Sequence, residues 1–333
     1  MLSRRPRKHP IEAALEAESR RPPPPHEWPA ELLRRLEFRV LKRLDGFLFG
    51  DYSGFFYGPS LDLAEVREYQ PGDEVRRIDW NVTARTGKIH IRQYREEKEV
   101  TVWLVVDLSA SMRFGTRRVL KQEEALEFVG AAAAIVGRHG DKVGAMGFSE
   151  AGMRMIPPGT GRRQALRILH ALYGLMAPQN ARATTPKAAP RAAQGLLEQA
   201  LEHTAKTLRR RALLFVVSDF LHPNPAQEPP WAQGLRRLAF RHDVVAVRIL
   251  DPAEKELPKV GELRMRDPES GEEVWIDTSD PRVRRAHAAM VQAREAMLER
   301  TLRAARVDLL SLCTAQEIVE PLLKFSLRRR GRR

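Results

Sequence analysis

TVWLVVDLSAS, residues 101–111, opens with an unbroken apolar run from Val102 to Val106 and is cut off by Asp107, with Ser109 and Ser111 close behind. The run is far shorter than the roughly 18 residues of a membrane span, and it lacks the alternation of a half-exposed strand. As a strand it has to be buried on both faces. Similar runs follow at VGAMGF (143–148), ALLFVVSD (212–219), DVVAVRIL (243–250) and VDLLSL (307–312), with MRMIP (153–157) as a weaker one. Helical patterns lie between them, near 118–138, 163–176, 190–209, 231–241 and 281–305. Buried strands alternating with amphipathic helices predict a doubly wound α/β domain over residues 100–325, its mostly parallel sheet covered on both faces.

Upstream the character changes. Residues 1–30 combine basic groups with Pro22 to Pro25 and read as a disordered tail. Leu32, Leu33, Leu36, Val40, Leu41 and Leu44 then recur at helical spacing. Residues 50–99 are punctuated by glycine and proline, and KIHIRQY alternates apolar with polar residues, so a helix and a small β-rich subdomain are expected over 31–99. A basic tail is expected at 326–333.

The chain has 333 residues, 43% of them hydrophobic, and a net charge of +14. Most of the excess sits at the ends, in residues 1–45 and in the closing KFSLRRRGRR, where it reads as solvated tails. Nucleic-acid binding through these termini is the alternative reading. It is disfavoured because few aromatic residues are interleaved with the basic ones there. One cysteine, Cys313, permits no intramolecular disulfide and fits a reducing compartment. With no apolar run long enough to span a bilayer and no signal-peptide core, a cytoplasmic location is expected.

In open α/β sheets the ligand sits beyond the carboxyl ends of the strands, where strand order reverses. The groups found there are Asp107, Ser109 and Ser111 after the first strand, and Asp219 after the strand at 212–218. Oxygen donors without paired histidine or cysteine suit a hard cation, Mg²⁺ or Mn²⁺, rather than zinc. Capping of the following helix is the competing role for Asp107 and Ser109. Enzymatic readings find little support. An aspartyl-phosphate site wants a second carboxylate where Ser109 stands, no GxxxxGK[ST] loop is present, and the histidines form no triad pattern.

Asp107-x-Ser109-x-Ser111 resembles the metal-ion-dependent adhesion site of von Willebrand factor A domains. The longer stretches REYQPGDEVRRIDWNVTARTGKIHIRQYREE (67–97) and VVDLSASMRFG (105–115) are similar to the hallmark of the bacterial family known as domain of unknown function 58. GDKVGAMGFS, VVSDF, RHDVVAVRILDPAEKELPKVG and DPESGEEVWIDTS extend the likeness over about residues 45–325. The resemblance implies a von Willebrand A-type fold with an adhesion-type metal site. It also implies a MoxR-type AAA+ ATPase or another acidic protein ligand as partner, and no catalytic activity. The family pattern places a threonine loop before the SDF motif; here the interval is helix-like, and the nearest candidates are Thr184 and Thr185, of which Thr185 is preferred. The membrane-spanning pair of many relatives is missing from the sequence.

Within 67–97, Pro71-Gly72-Asp73 suits a tight turn, Arg76 and Arg77 with Asp73, Glu74 and Asp79 suit an ion-pair network, and Trp80 suits an apolar anchor. This motif is either scaffold or a partner-docking surface. The expectation is a non-enzymatic module that presents a divalent metal ion to a protein partner.

Overall fold

Val102 lies in register with Val143 on one side and Leu213 on the other, so the first buried run is the central strand of a sheet. The computed structural model describes residues 28–36, 65–70, 75, 78–93, 101–176, 195–266 and 273–330. In chain order its elements begin with α1 (Trp28–Leu36), β1 (Glu65–Glu68), α2 (Trp80–Thr86), β2 (His90–Gln93) and β3 (Thr101–Asp107). After a 3-10 turn (Ala110–Arg113) come α3 (Lys121–Arg138), β4 (Lys142–Ser149), β5 (Gly152–Gly159), α4 (Gly161–Tyr173), α5 (Leu196–Thr207) and β6 (Leu213–Ser218). The remainder is α6 (Trp231–Arg241), β7 (Asp243–Leu250), α7 (Pro252–Lys255), β8 (Glu262–Arg266), β9 (Glu273–Asp277), α8 (Pro281–Ala304), β10 (Asp308–Cys313) and α9 (Val319–Arg330).

The central sheet runs β10-β7-β6-β3-β4-β5, parallel throughout except for β5, which turns back along β4. Numbered by their sequence within this sheet, the strands stand in the order 3-2-1-4-5-6 of doubly wound folds. Order therefore reverses between β3 and β6. Successive side chains of a strand point to opposite faces. Val102, Leu104 and Val106 join a core with α1, α3, α4 and α9, while Trp103 and Val105 join a second core with α5, α6 and α8. Both cores are apolar and buried, which is why these strands read as continuous apolar runs rather than alternating ones.

Helix α1 inserts Leu32, Leu33 and Leu36 into the first core. Its close approach requires Gly130 in the middle of α3, where a Cβ would meet Leu36 Cδ1 at 2.7 Å. The rest of the amphipathic pattern expected here, Val40, Leu41 and Leu44, lies outside the described residues. In the N-terminal region β1 pairs antiparallel with β2, and α2 precedes β2. Helix α9 continues to Arg330 with Phe325 and Ser326 buried, so the basic C-terminal run begins as part of a packed helix rather than as a tail from residue 326. The hairpin β8–β9 is an addition that the sequence reading did not contain; it stands out from the sheet with Trp275 exposed.

Candidate metal centre

The site forms at the switch point, where β3 and β6 end side by side. Asp107 is the last residue of β3 and Asp219 follows the last residue of β6. Asp107, Ser109, Ser111 and Asp219 are all buried. Asp107 Oδ1 accepts from the Ser109 amide at 2.9 Å, and Asp107 Oδ2 accepts from Ser218 Oγ at 2.7 Å. Ser109 Oγ lies 3.3 Å from Ser111 Oγ, and the Ser111 hydroxyl bonds the Asp219 carboxylate. The four residues named from the sequence are thus brought together. Thr185 lies outside the described residues.

The loop that carries the serines is braced from β4. Glu150, just past that strand, accepts from the Ala110 amide at 2.5 Å and from Arg113 Nη2 at 2.8 Å. On the other side Phe220 adopts a left-handed conformation with φ of 53°, a strain of about 1–2 kcal/mol for a residue with a Cβ. Its ring is buried edge-on against Trp231 at 5.3 Å, and that packing holds the chain as it turns away from Asp219.

The two carboxylates differ in their electrostatics. Burial alone would push Asp219 up, but the Lys121 ammonium, 2.8 Å from Oδ2, holds it below the usual carboxylate range. Asp219 Oδ1 accepts from the Leu221 amide at 3.1 Å, so both of its oxygens are engaged. Asp107 has no such counterion: among the described residues, no basic side chain pairs with it. Burial, helped by the nearby charge of Asp219, pushes Asp107 up to about 6. Asp107 is a desolvated carboxylate whose hydrogen bonds come from neutral donors, the Ser109 amide and hydroxyl and the Ser218 hydroxyl, and it lacks one thing, a positive charge.

Lys121 was not named from the sequence. It is the first residue of α3, fully buried, and its ammonium bonds Asp219 and also Glu254 Oε1 at 2.5 Å. A cation at a helix N-terminus opposes the helix dipole, and burial opposes its charge as well, yet the two carboxylates hold its pKa above the ordinary value. The signal in the sequence was the polar run Lys121 to Glu124, which stands where helical periodicity alone expects a solvated turn.

The donor set fits a hard cation. Two carboxylates and two hydroxyls offer oxygen alone, and among the described residues no group of three or more histidine, cysteine, aspartate or glutamate side chains could hold a metal. Such a cation would supply the missing charge at Asp107 and an open coordination position for an outside oxygen.

The other residues singled out, in the 67–97 motif, divide. Asp79 is buried and caps α2, accepting from the Asn81 and Val82 amides at 3.0 and 3.2 Å. Trp80, the apolar anchor of the motif, is 68% exposed. It begins α2, a helix with no buried residue. Asp73, Arg76 and Arg77 lie outside the described residues. Among the described residues no helix is long and apolar enough to cross a membrane.

An uncharacterized protein of Mycobacterium tuberculosis is 38% identical over 303 residues, covering 91% of this chain and 90% of its own. Among solved structures, the conserved hypothetical protein BatB from Bacteroides thetaiotaomicron aligns at a TM-score of 0.42 and 13% identity, over 70% of this chain and 99% of that one. The VWA domain of SpRpn10 aligns at 0.30 and 14%, over 67% and 93%. The family model described as "Protein of unknown function DUF58" matches residues 65–297, most of the chain and the whole of the site, and this protein belongs to that family.

Proposed function

We propose that this chain is a non-catalytic interaction module, acting in the cytosol, which presents Mg²⁺ or Mn²⁺ at the end of β3 to an acidic side chain of a partner protein. The observation that carries the reading is Asp107, a buried carboxylate at the switch point of the sheet that pairs with no basic side chain among the described residues. Asp107, Ser109 and Ser111 would hold the ion. Asp219 would act mainly by orienting Ser111, because Lys121 already takes one of its oxygens. Thr185 is our candidate for the third loop.

Three protein ligands leave part of an octahedral shell to water, and a carboxylate from a partner can replace one water and bridge the two proteins. The partner we infer is a MoxR-type AAA+ ATPase, on the strength of the family resemblance. The motif at 67–97, with Trp80 at the surface, is the second contact we assign to it.

The test is capture of purified MoxR-type ATPase on the immobilised full chain in Mg²⁺, with excess chelator and with the Asp107→Ala, Thr185→Ala and Thr184→Ala chains as comparisons. Capture should be lost with chelator and with Asp107→Ala, and weakened by Thr185→Ala but not by Thr184→Ala. Undiminished capture in chelator would reject the bridging ion.

A further inference from the structure

Strand β10 is an edge: it pairs with β7 and, among the described residues, with no other strand. Helix α8 covers it on one face of the sheet through Leu302, and α9 covers it on the other through Phe325. Between these helices the open side of the strand faces a groove of about 810 Å³. An unpaired strand edge carries a row of backbone donors and acceptors, a ready template for another extended chain.

The groove is also charged. Arg303 and Arg306 line it beside α8, and Arg328 lines it from α9. All three are exposed, and none has an ion pair among the described residues. The other two cations of the lining are engaged, Lys324 with Glu320 at 2.6 Å and Arg329 with Asp308 and Asp243. Glu299 is the one acidic side chain of the lining that has no such pair among the described residues.

Arg306 adds an independent observation. It closes α8 in the left-handed region, φ 54°, with its amide donating to the Arg303 carbonyl and the Val307 amide donating to the Leu302 carbonyl at 3.0 Å. Glycine takes this closing position without strain, whereas any other residue pays of order 1 kcal/mol. Here the position holds a guanidinium at the mouth of the groove.

We propose that this groove binds an extended, acidic peptide of a partner protein, added as a strand along β10. The side chains of an added strand would face α8 and α9 in turn, so carboxylates on either side meet an arginine, and apolar residues meet Leu302 or Phe325. The site is remote in the sequence from Asp107 and does not require the metal.

Fluorescence anisotropy on the full-length chain tests the proposal, with a fluorescein-labelled peptide of about eight residues alternating valine and glutamate. Its control is the same peptide N-methylated at every residue, which keeps the charge and has no amide left to donate along either edge. The unmodified peptide should bind saturably, the N-methylated one should not, and Arg306→Gly and Arg303→Glu should each weaken binding by about tenfold. Arg306→Gly should melt no lower than the parent, because it relieves the strained closing residue. Equal binding of both peptides, or unchanged binding by Arg306→Gly, would overturn the proposal. Sedimentation showing a dimer that Arg306→Gly dissociates would give the edge to a second copy. Binding that appeared only after deletion of residues 1–27 would give it to the chain's own N-terminal segment. Either result would also overturn a partner peptide as occupant.

Discussion

Lys121 Nζ lies 2.8 Å from Asp219 Oδ2, and neither side chain is more than 5% exposed. The pair joins the first turn of α3 to the end of β6 across the switch point, and Glu254 on α7 completes it. Removing one member of a buried ion cluster leaves the others desolvated and uncompensated, which typically costs 3–5 kcal/mol. Lys121→Met should lose stability of about that size in urea unfolding, the two carboxylates being the cause. In the doubly changed Lys121→Met/Asp219→Asn chain part of the loss should return. A Lys121→Met chain within about 1 kcal/mol of the parent would show that the cluster is not a constraint on the site.

Asp251 ties three loops together at the same end of the sheet. Fully buried, it accepts from the Thr116 amide at 2.8 Å, Thr116 Oγ1 at 2.6 Å, Thr314 Oγ1 at 2.5 Å and the Ala253 amide at 2.9 Å. Burial pushes its carboxyl up, but these donors outweigh it and hold the folded pKa below the ordinary value. The stability it contributes is therefore present above the usual carboxylate range and lost as pH falls through the depressed pKa. Asp251→Ala should cost about 3 kcal/mol or more at pH 7, since several buried donors lose their acceptor. The difference from the parent should shrink as unfolding is followed down to acid pH, and a constant difference would refute the charged role.

Glu124 has the opposite sign. Its side chain is buried near the start of α3, and burial pushes it up to about 8 despite Arg118 Nη2 at 2.5 Å. A raised pKa means that the fold favours the protonated form, so the contribution is complete below the unfolded value and is lost as pH rises towards 8. Glu124→Gln, neutral at every pH, should equal or exceed the parent in stability at pH 8, by on the order of 1 kcal/mol, and should lose that advantage at pH 5. Thermal melts of both chains at the two pH values would check it, and an advantage independent of pH would count against the assignment.

The sheet was legible because strands buried on both faces leave continuous apolar runs, and all six of its strands stand within a few residues of their expected places. Asp107, Ser109, Ser111 and Asp219 were legible because strand ends at a switch point are where a doubly wound fold puts its ligand. Lys121 and Glu254 were not. Each is a polar residue whose burial depends on two distant segments meeting, Lys121 and Asp219 being 98 residues apart, and periodicity sees only one segment at a time. The β8–β9 hairpin was missed for the converse reason. Its strands alternate, but among the described residues they pack on no core, so no apolar run announces them. Trp80 is legible as an apolar anchor by its size, but size alone does not say whether the ring is buried, and at the start of α2 it is exposed.

The central claim is that the uncompensated charge of Asp107 is a seat for a divalent cation. Isothermal titration of Mn²⁺ into the full-length chain measures this most directly, with Asp107→Asn as comparison, because the amide keeps the shape of the side chain and removes only its charge. The account predicts one saturable site in the parent, none in Asp107→Asn, and the same folded circular-dichroism spectrum for both. Equal Mn²⁺ affinity in the two chains would contradict it.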